Sequence, residues 1–596
     1  MPYNWSIADA CEIPKDFLEL ANSDTLLARL LMNRGVTNTS LASYFLDLNA
    51  IQEQSPFEIP EMYKAFLRVK KAILDKEKIV IFGDYDVDGT SSVALMYRCF
   101  KAIGISVGYY IPNRFSEGYG LNNDAIKTIK QEMQADLLIT CDCGISNFNE
   151  VEFANSLELD VIITDHHSIP ATPPNSIANC NPKTLAAEHP LHFLPGVGVA
   201  YKLASLILDE FLEKKDAEFF KNDLLDLVAL GMVADLAPLL SENRYLTIKG
   251  LRVLAKTSKV GLRELLKISG VEIDPDAEHI GFGIGPRINA AGRLDNALDA
   301  VQLMISDDVQ EAKELALQLD LSNKERQILC NEIFDSALKK IEEDPDILDN
   351  NVIVLADASW HHGVIGIVAS RLLERFHLPV FLIAIEDEIA KSSVRCIDVQ
   401  GLDLFAEMTE IQTKTNLFAK FGGHKMAAGF SVKTENLDSL IQEINKHFRN
   451  KLANKDLKKT IKIDAALACQ ELTENLVTRI NKLAPFGLAN PSPNFVIGPL
   501  EIKRIKALGQ EQKHLKLFLA QASESRLFEA VIWNRAQEFL ENHKIGDQLV
   551  FVFQAKINDF MQMRSFQLDI KDWNSEENLD MDTLFARFRK KIEAKT

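Results

Sequence analysis

Lys78-Ile79-Val80-Ile81-Phe82 runs directly into Gly83-Asp84-Tyr85-Asp86-Val87-Asp88-Gly89. Two further apolar runs in the same third of the chain also end in carboxylates. Leu137-Leu138-Ile139-Thr140 is followed by Cys141-Asp142-Cys143-Gly144, and Val161-Ile162-Ile163-Thr164 by Asp165-His166-His167. Short β-rich runs separated by helix-length stretches read as strands of a parallel sheet buried on both faces. Ligands gather outside the carboxyl ends of such strands. One sheet edge is therefore expected to collect Asp84, Asp86, Asp88, Asp142, Asp165, His166 and His167. So many like charges at one edge repel one another, and divalent cations are the natural compensation.

The 596-residue chain is long enough for several domains. Its 47% hydrophobic and 25% charged content is that of an ordinary globular protein. No apolar run approaches the roughly 20 residues of a membrane span. Met1-Pro2-Tyr3-Asn4-Trp5 lacks the basic stretch and apolar core of a secretory signal, so none is expected. The eight cysteines are scattered, which fits a reducing cytoplasm and no disulfide framework. The net charge of −19 argues against a nucleic-acid partner when taken alone. However, cation-binding carboxylates inflate that total, and a basic channel can lie within an acidic surface.

The pattern along the chain predicts an α/β architecture in six parts. Residues 1–70 read as a polar helical region and 71–297 as the first α/β lobe. Residues 298–345 read as long connector helices, with Leu317, Leu321, Ile328, Phe334, Leu338 and Ile341 at helical spacing. A second α/β lobe spans 346–450, short alternating strands over 451–575 suit a small β-barrel, and 576–596 reads as a charged helix. Within the first lobe, Thr90-Ser91-Ser92 is expected to begin a helix. Asp226 to Ala234 reads as a buried helix that delivers Asp235.

Asp86, Asp88, Asp142, His166 and Asp235 offer oxygen and imidazole donors, a set that suits Mn²⁺ or Mg²⁺ better than structural zinc. A carboxylate shared by two ions about 4 Å apart makes a two-metal hydrolytic centre. An Asp-rich turn alone is usually a solvated loop or helix cap; placement at consecutive strand ends is what argues for a site. Cys141 and Cys143 lack CxxC spacing and read as small apolar filler. Gly285-Pro286-Arg287-Ile288-Asn289-Ala290-Ala291-Gly292-Arg293 reads as a Gly/Ala-rich loop whose arginines can approach phosphate closely. Ser393-Val394-Arg395 and Gly422-Gly423-His424 form a further phosphate-type pair. Lys503, Arg504, Lys506, Lys513, His514 and Lys516, near Phe518, Phe528 and Trp533, suit single-stranded nucleic acid on a barrel.

These motifs resemble the DHH phosphoesterase superfamily, and within it the RecJ-type exonucleases specific for single-stranded DNA. Gly83 to Gly89 resembles the first family motif, Asp142 the second, Asp165-His166-His167 the third, and Leu230-Gly231-Met232-Val233-Ala234-Asp235 the fourth. Arg287 to Arg293 resembles a motif of the RecJ branch, and Phe421-Gly422-Gly423-His424 one of the companion DHHA1 lobe. Leu483-Ala484-Pro485-Phe486-Gly487 with Asn490-Pro491 resembles the approach to the RecJ OB-fold.

The resemblance implies a DHH lobe, a DHHA1-like lobe and an OB-fold. It also implies a 5′→3′ exonuclease that hydrolyses single-stranded DNA to mononucleotides in repair and recombination. Two Mn²⁺ or Mg²⁺ ions would sit on Asp86, Asp88, Asp142, His166 and Asp235, supported by Asp84 and Asp165. His167 would face the scissile phosphate, with Arg287 and Asn289 contacting it. Arg114, Arg293, Ser393, Arg395, Gly423 and His424 would bind substrate, with Arg114, Ser393 and Arg395 anchoring a 5′-phosphate. The family commonly has Gly-Ser-x-Arg-Ser where this chain has Ser392-Ser393-Val394-Arg395-Cys396. A helicase and a single-strand-binding protein are the partners implied, and a membrane is not. The alternatives are a DHH phosphodiesterase of short oligoribonucleotides or cyclic dinucleotides, a polyphosphatase or pyrophosphatase, and a non-catalytic DNA-binding scaffold.

Overall fold

The computed structural model describes residues 3–575 apart from residues 9–11, 52, 115, 272–273, 295, 400, 510, 522–525 and 561–562. The helix expected over 576–596 lies outside the described residues. The three apolar runs form the heart of a five-stranded, all-parallel sheet. Its order is Gly108–Tyr110, Ile79–Gly83, Leu137–Cys141, Asp160–Thr164, Ala178–Cys180. Ile79 to Gly83 and Leu137 to Cys141 are buried throughout, as strands covered on both faces must be. In-register pairing of Gly83 with Cys141, and of Cys141 with Thr164, brings the three carboxylate-bearing ends to one edge.

The helix after the first strand starts earlier than its sequence suggests. It spans Val87–Ala102 and is capped by the Asp86 carboxylate, which accepts from Gly89 N–H at 3.1 Å. Thr90, Ser91 and Ser92 lie inside it and return their hydroxyls to backbone carbonyls. Asp88 therefore sits in the first helical turn and Asp86 at the cap. The expected arginine loop is likewise a helix, Gly285–Leu294, preceded by a π-turn over His279–Ile284. The connector is two helices, Leu298–Ile305 and the 35-residue Val309–Glu343. The break falls where Asp308 caps the long helix through Gln310 N–H and Glu311 N–H.

The second lobe carries a five-stranded mixed sheet in the order Phe418–Gly423, Ala427–Lys433, Ile389–Arg395, Val380–Glu386, Ile353–Asp357. Ile365–Phe376 packs on it. The C-terminal unit is a closed barrel of five strands: Phe495–Leu508, His514–Ala520, Phe528–Ile532, Gln548–Phe560 and Met563–Ser575. Closure comes from pairing of the first strand with the fourth and of the third with the fifth. A helix, Ala536–Asn542, joins the third and fourth strands, the arrangement of an OB-fold.

The N-terminal region is not a separate unit. Asn4–Ile7 pairs in parallel with Thr460–Ile463, which is thereby not a barrel strand. Phe17, Leu27, Leu30, Leu31 and Phe45 share one core with Leu472, Leu476, Leu483 and the barrel, whereas Met62–Asp75 packs with the first lobe. The apolar faces of three short helices cannot be buried by themselves, and the barrel flank supplies the missing surface. Phe17→Ala should cost about 3–5 kcal/mol. Denaturant unfolding followed by a probe in the barrel checks it.

Candidate active site

Asp84, at the end of the first strand, is buried, and its Oδ1 has no hydrogen-bond partner. Burial, then the Asp86 charge, pushes its carboxyl well above the usual range. The turn beyond it is so tight that a Cβ on Gly89 would lie 2.5 Å from Asp84 O. Asp88 is gripped from across the lobe. Its Oδ2 accepts from Gly196 N–H at 2.7 Å and its Oδ1 from Val197 N–H at 2.9 Å, both at the N-terminus of the helix Gly196–Phe211. That grip was not read from the sequence; Pro195-Gly196 opening a helix was the available signal.

Asp142 follows its strand in the left-handed region, φ 62°, which turns the carboxylate toward Asp88 and His166. A Cβ on Gly196 would lie 2.6 Å from Asp142 Cβ, so glycine is required there. Burial, then Asp88, raises the Asp142 carboxyl well above its usual value, as burial and Asp235 do for Asp88. Asp235, at the C-terminal end of Leu225–Ala234, is pushed up to about 7 by burial and then by Asp86.

His166 Nε2 stands 3.0 Å from Asp142 Oδ1 and 3.8 Å from both Asp88 Oδ2 and Asp235 Oδ2. Despite that proximity neither His166 Nε2 nor Asp142 Oδ1 makes a hydrogen bond. They converge on common space, as two donors to one ion do. Ligand atoms of Asp88, His166 and Asp235 lie within 4.8 Å of one another, as do those of Asp84, Asp86 and Asp142, and those of Asp142, His166 and His167. Orphaned buried donors, crowded carboxylates and an oxygen-plus-imidazole set fit hard divalent cations.

Asp165 faces inward instead. It accepts from Ile145 N–H, His166 N–H, His167 N–H and His167 Nδ1 at 2.7–3.0 Å. Burial would raise its pKa, but the bonds and charge of His167 outweigh that and hold it at about 2. His167, against the cost of its own burial, is lifted to about 8 by Asp165. Burial, then His167, pushes His166 down to about 3. Tyr119, which the sequence reading missed, stands between left-handed Gly118 and Gly120 with its hydroxyl 3.2 Å from the His167 ring nitrogens.

Arg287 is bonded on the connector side of its helix. Its Nε donates to Asp320 on the connector at 2.9 Å, Nη1 to Gly283 O, and Nη2 to Ile268 O. It stands on a helix where a loop was expected, and these bonds hold its guanidinium. Asn289, on the same helix, accepts from Val87 N–H at 3.2 Å and braces the Asp86–Asp88 turn. Gly292 allows the close approach, since a Cβ there would lie 2.7 Å from Tyr85 O.

Between the lobes the arginines converge. Arg293 donates to Gly363 O, and burial, then Arg114, Arg326 and Arg395, depress its pKa to about 10. Arg395 is lowered by burial and then by Arg114, and it donates to Ser393 Oγ at 3.2 Å. A Cβ on Gly366 would meet Ser393 Oγ at 2.7 Å. Such a group of mutually repelling cations suits an anion. The departure at Ser392 and Cys396 falls outside this cluster: Ser392 Oγ accepts from Phe430 N–H, and Cys396 is buried. Gly423 is a tight pairing position against Ala428, and His424 is exposed at the hairpin tip with its backbone N–H on Ala427 O.

On the barrel, the Arg504 guanidinium lies 4.5 Å and the Lys516 ammonium 5.6 Å from the Phe518 ring centre. Lys503, Lys513 and Lys516 are paired with Glu501, Glu511 and Glu529, so this face is less basic than its lysines alone indicate.

Residues 78–232 match the DHH family N-terminal domain, 349–450 the DHHA1 domain and 463–572 the RecJ OB domain. The single-stranded-DNA-specific exonuclease RecJ of Bacillus subtilis is 37% identical over 561 residues, covering 94% of this chain and 69% of that one. The chain belongs to the RecJ family. A RecJ of Haemophilus influenzae is 34% identical, with 91% of this chain and 95% of that one covered. The crystal structure of Thermus thermophilus RecJ in complex with Mn²⁺ superposes with a TM-score of 0.78 at 25% identity, over 96% of this chain and 79% of that one. A manganese-bound exonuclease RecJ superposes with a TM-score of 0.58 at 31% identity, over 68% and 99%. The order DHH lobe, DHHA1 lobe, OB-fold is thus that of the RecJ family.

Proposed function

We propose that this chain is a divalent-cation-dependent exonuclease specific for single-stranded DNA. In finer terms it works 5′→3′, releases mononucleotides, uses two Mn²⁺ or Mg²⁺ ions, and serves DNA repair and recombination in the cytoplasm beside a helicase and a single-strand-binding protein. The observation that carries the reading is the convergence of Asp88, Asp142, His166 and Asp235 on shared space beside an arginine-lined cleft. RecJ relatives carrying that activity in their names, and two RecJ structures solved with manganese, support it. No helix among the described residues is long and apolar enough to cross a membrane.

Asp84, Asp86, Asp88, Asp142, His166 and Asp235 would hold the ions. When bound, the ions supply an activated water and neutralise charge on the phosphate. The protein supplies the positioning. Gly196 N–H and Val197 N–H fix Asp88, and Asn289 fixes the turn that carries Asp86. Asp165 holds His167 by Nδ1, and Nε2, 3.2 Å from the Tyr119 hydroxyl, is the atom that would meet a phosphate oxygen. Arg114, Arg293 and Arg395, with Ser393, would take the 5′-terminal phosphate and so set the polarity of attack. Arg287 acts at a distance, tying its helix to the connector. The barrel distinguishes this reading from the shorter DHH phosphodiesterases, and the filled set of ligand positions from a non-catalytic scaffold.

The test is end-labelled single-stranded DNA, duplex DNA and short RNA with Mn²⁺ or EDTA. Mononucleotide release from the 5′ end of single strands alone, abolished by EDTA, is expected; equal cutting of duplex or RNA would refute the assignment. Arg395→Ala should reduce the preference for 5′-phosphorylated over 5′-hydroxyl strands by about 10-fold or more, the scale of one charge-assisted contact. Competition between the two strands measures it.

A further inference from the structure

Two large apolar side chains beside the proposed catalytic centre are exposed. Phe282 is 85% exposed and Leu236 67% exposed. Single exposed apolar side chains are ordinary, but the backbone of these two is specially shaped. Leu236, the residue directly after Asp235, is left-handed at φ 57°, a conformation that disfavours a side chain of this kind. Phe282 rides on the π-turn His279–Ile284 between Gly281 and Gly283. A Cβ on Gly281 would meet nothing within 4 Å, so crowding does not explain that glycine. Turns of this kind are frequent at functional sites.

The turn lies between the proposed catalytic centre and the barrel. Gly285, about one helical turn after Phe282, would place a Cβ 3.8 Å from Ala234 and 3.9 Å from Val87, neighbours of Asp235 and of Asp86 and Asp88. On the other side, Glu278 pairs with Lys556 of the barrel at 2.8 Å. Leu239 N–H, just beyond Leu236, donates to Leu488 O on the segment leading into the barrel.

We propose that Phe282 and Leu236 form a platform for the bases of the retained strand, from the second nucleotide 3′ of the cut bond onward. The inference rests on the exonuclease reading. If the 5′-phosphate sits among the arginines between the lobes, the remaining strand leaves on the opposite side of the centre. A route from there to Arg504, Lys516 and Phe518 would pass these two side chains, because Glu278 beside the turn pairs with Lys556, and the strand pairings run from Lys556 through Gln567 and Glu529 to Phe518. An aromatic face accepts any base and so confers affinity without sequence preference.

Full-length wild type, Phe282→Ala, Phe282→Trp and Leu236→Gly are compared on a 5′-phosphorylated 12-mer and a 5′-phosphorylated dinucleotide with Mn²⁺. Phe282→Ala should raise KM for the 12-mer about 10-fold, within the range for loss of one base stack. It should leave kcat and all dinucleotide kinetics unchanged, and Phe282→Trp should restore KM. Leu236→Gly should raise KM for the 12-mer while raising the melting temperature, because it relieves the left-handed residue; a merely structural leucine would lower both stability and activity. In EDTA, 2-aminopurine at the third nucleotide should be quenched by wild type and not by Phe282→Ala. Equal losses on both substrates, an unchanged 12-mer KM, or equal quenching would overturn the platform. Failure of the wild type to cut either substrate would instead overturn the exonuclease reading, and the quenching result then judges the platform alone.

Discussion

Replacing Asp142 with Asn is expected to lower turnover of single-stranded DNA by about 10³-fold or more, the several kcal/mol that bound cations contribute to charge stabilisation. The cation-free protein should stay at least as heat-stable as the parent. Both halves come from the same geometry. Asp142 Oδ1 is an orphaned atom aimed at space shared with Asp88, His166 and Asp235, so its charge is what a cation would bind. Without a cation that charge is buried among Asp88, Asp86, Asp84 and Asp165 and is held unfavourably. Asparagine keeps the shape and tolerates the left-handed backbone at φ 62°, whereas alanine would add strain. Initial rates with Mn²⁺ and melting curves in EDTA check the pair. A strongly destabilised variant would mean that the carboxylate is structural.

The second large effect is thermal. Saturating Mn²⁺ should raise the melting temperature of the first lobe by roughly 5–10 °C for each bound ion: ligand at one hundred times Kd contributes about 2.7 kcal/mol per site, and each kcal/mol is worth a few degrees in a lobe of this size. The gain should grow with pH. Asp235 has a folded pKa of about 7, above its unfolded value, so the stability it contributes is present at low pH and lost as pH rises through 7. His167, lifted to about 8, loses its contribution over the same range. His166 has the opposite sign: its folded pKa of about 3 penalises the fold only below the unfolded value near 6.5. The clean window is therefore pH 6.5 to 8.5. There the cation-free melting temperature should fall and the Mn²⁺-loaded one should hold, because the ion replaces the proton. Scanning calorimetry across that window, with EDTA or Mn²⁺, reads both curves. A cation-free melting temperature that climbs with pH would contradict the site.

The lobe and its chemistry were legible because period and placement agreed. Three short apolar runs separated by helix-length stretches read as parallel strands, and each ended in a carboxylate. Asp235 was legible from a helix, apolar from Leu227 to Ala234, that stopped at an acid. What escaped the sequence depended on orientation or on distant partners. Asp165 was expected only as a support; the partners that take its oxygens, Ile145, His166 and His167, are what its motif does not reveal. Arg287 looked free for phosphate until helix formation delivered it to Asp320, 33 residues away. The grip of Gly196 and Val197 on Asp88 spans more than 100 residues and involves only backbone, which no side-chain pattern reveals. The N-terminal helices looked like an independent region because the barrel surface they cover lies over 400 residues later. The lysines of the barrel looked uniformly available, and the glutamates that pair with them were overlooked.

Anomalous diffraction at the manganese edge, from crystals of Asp142→Asn and of wild type soaked in Mn²⁺ with a 5′-phosphorylated oligonucleotide whose linkages resist hydrolysis, tests the central claim most directly. Two peaks about 4 Å apart among Asp84, Asp86, Asp88, Asp142, His166 and Asp235 of wild type, with a phosphodiester beside them and at least one peak missing from the variant, are the predicted result. Peaks elsewhere on the molecule, or unchanged peaks in the variant, would contradict it.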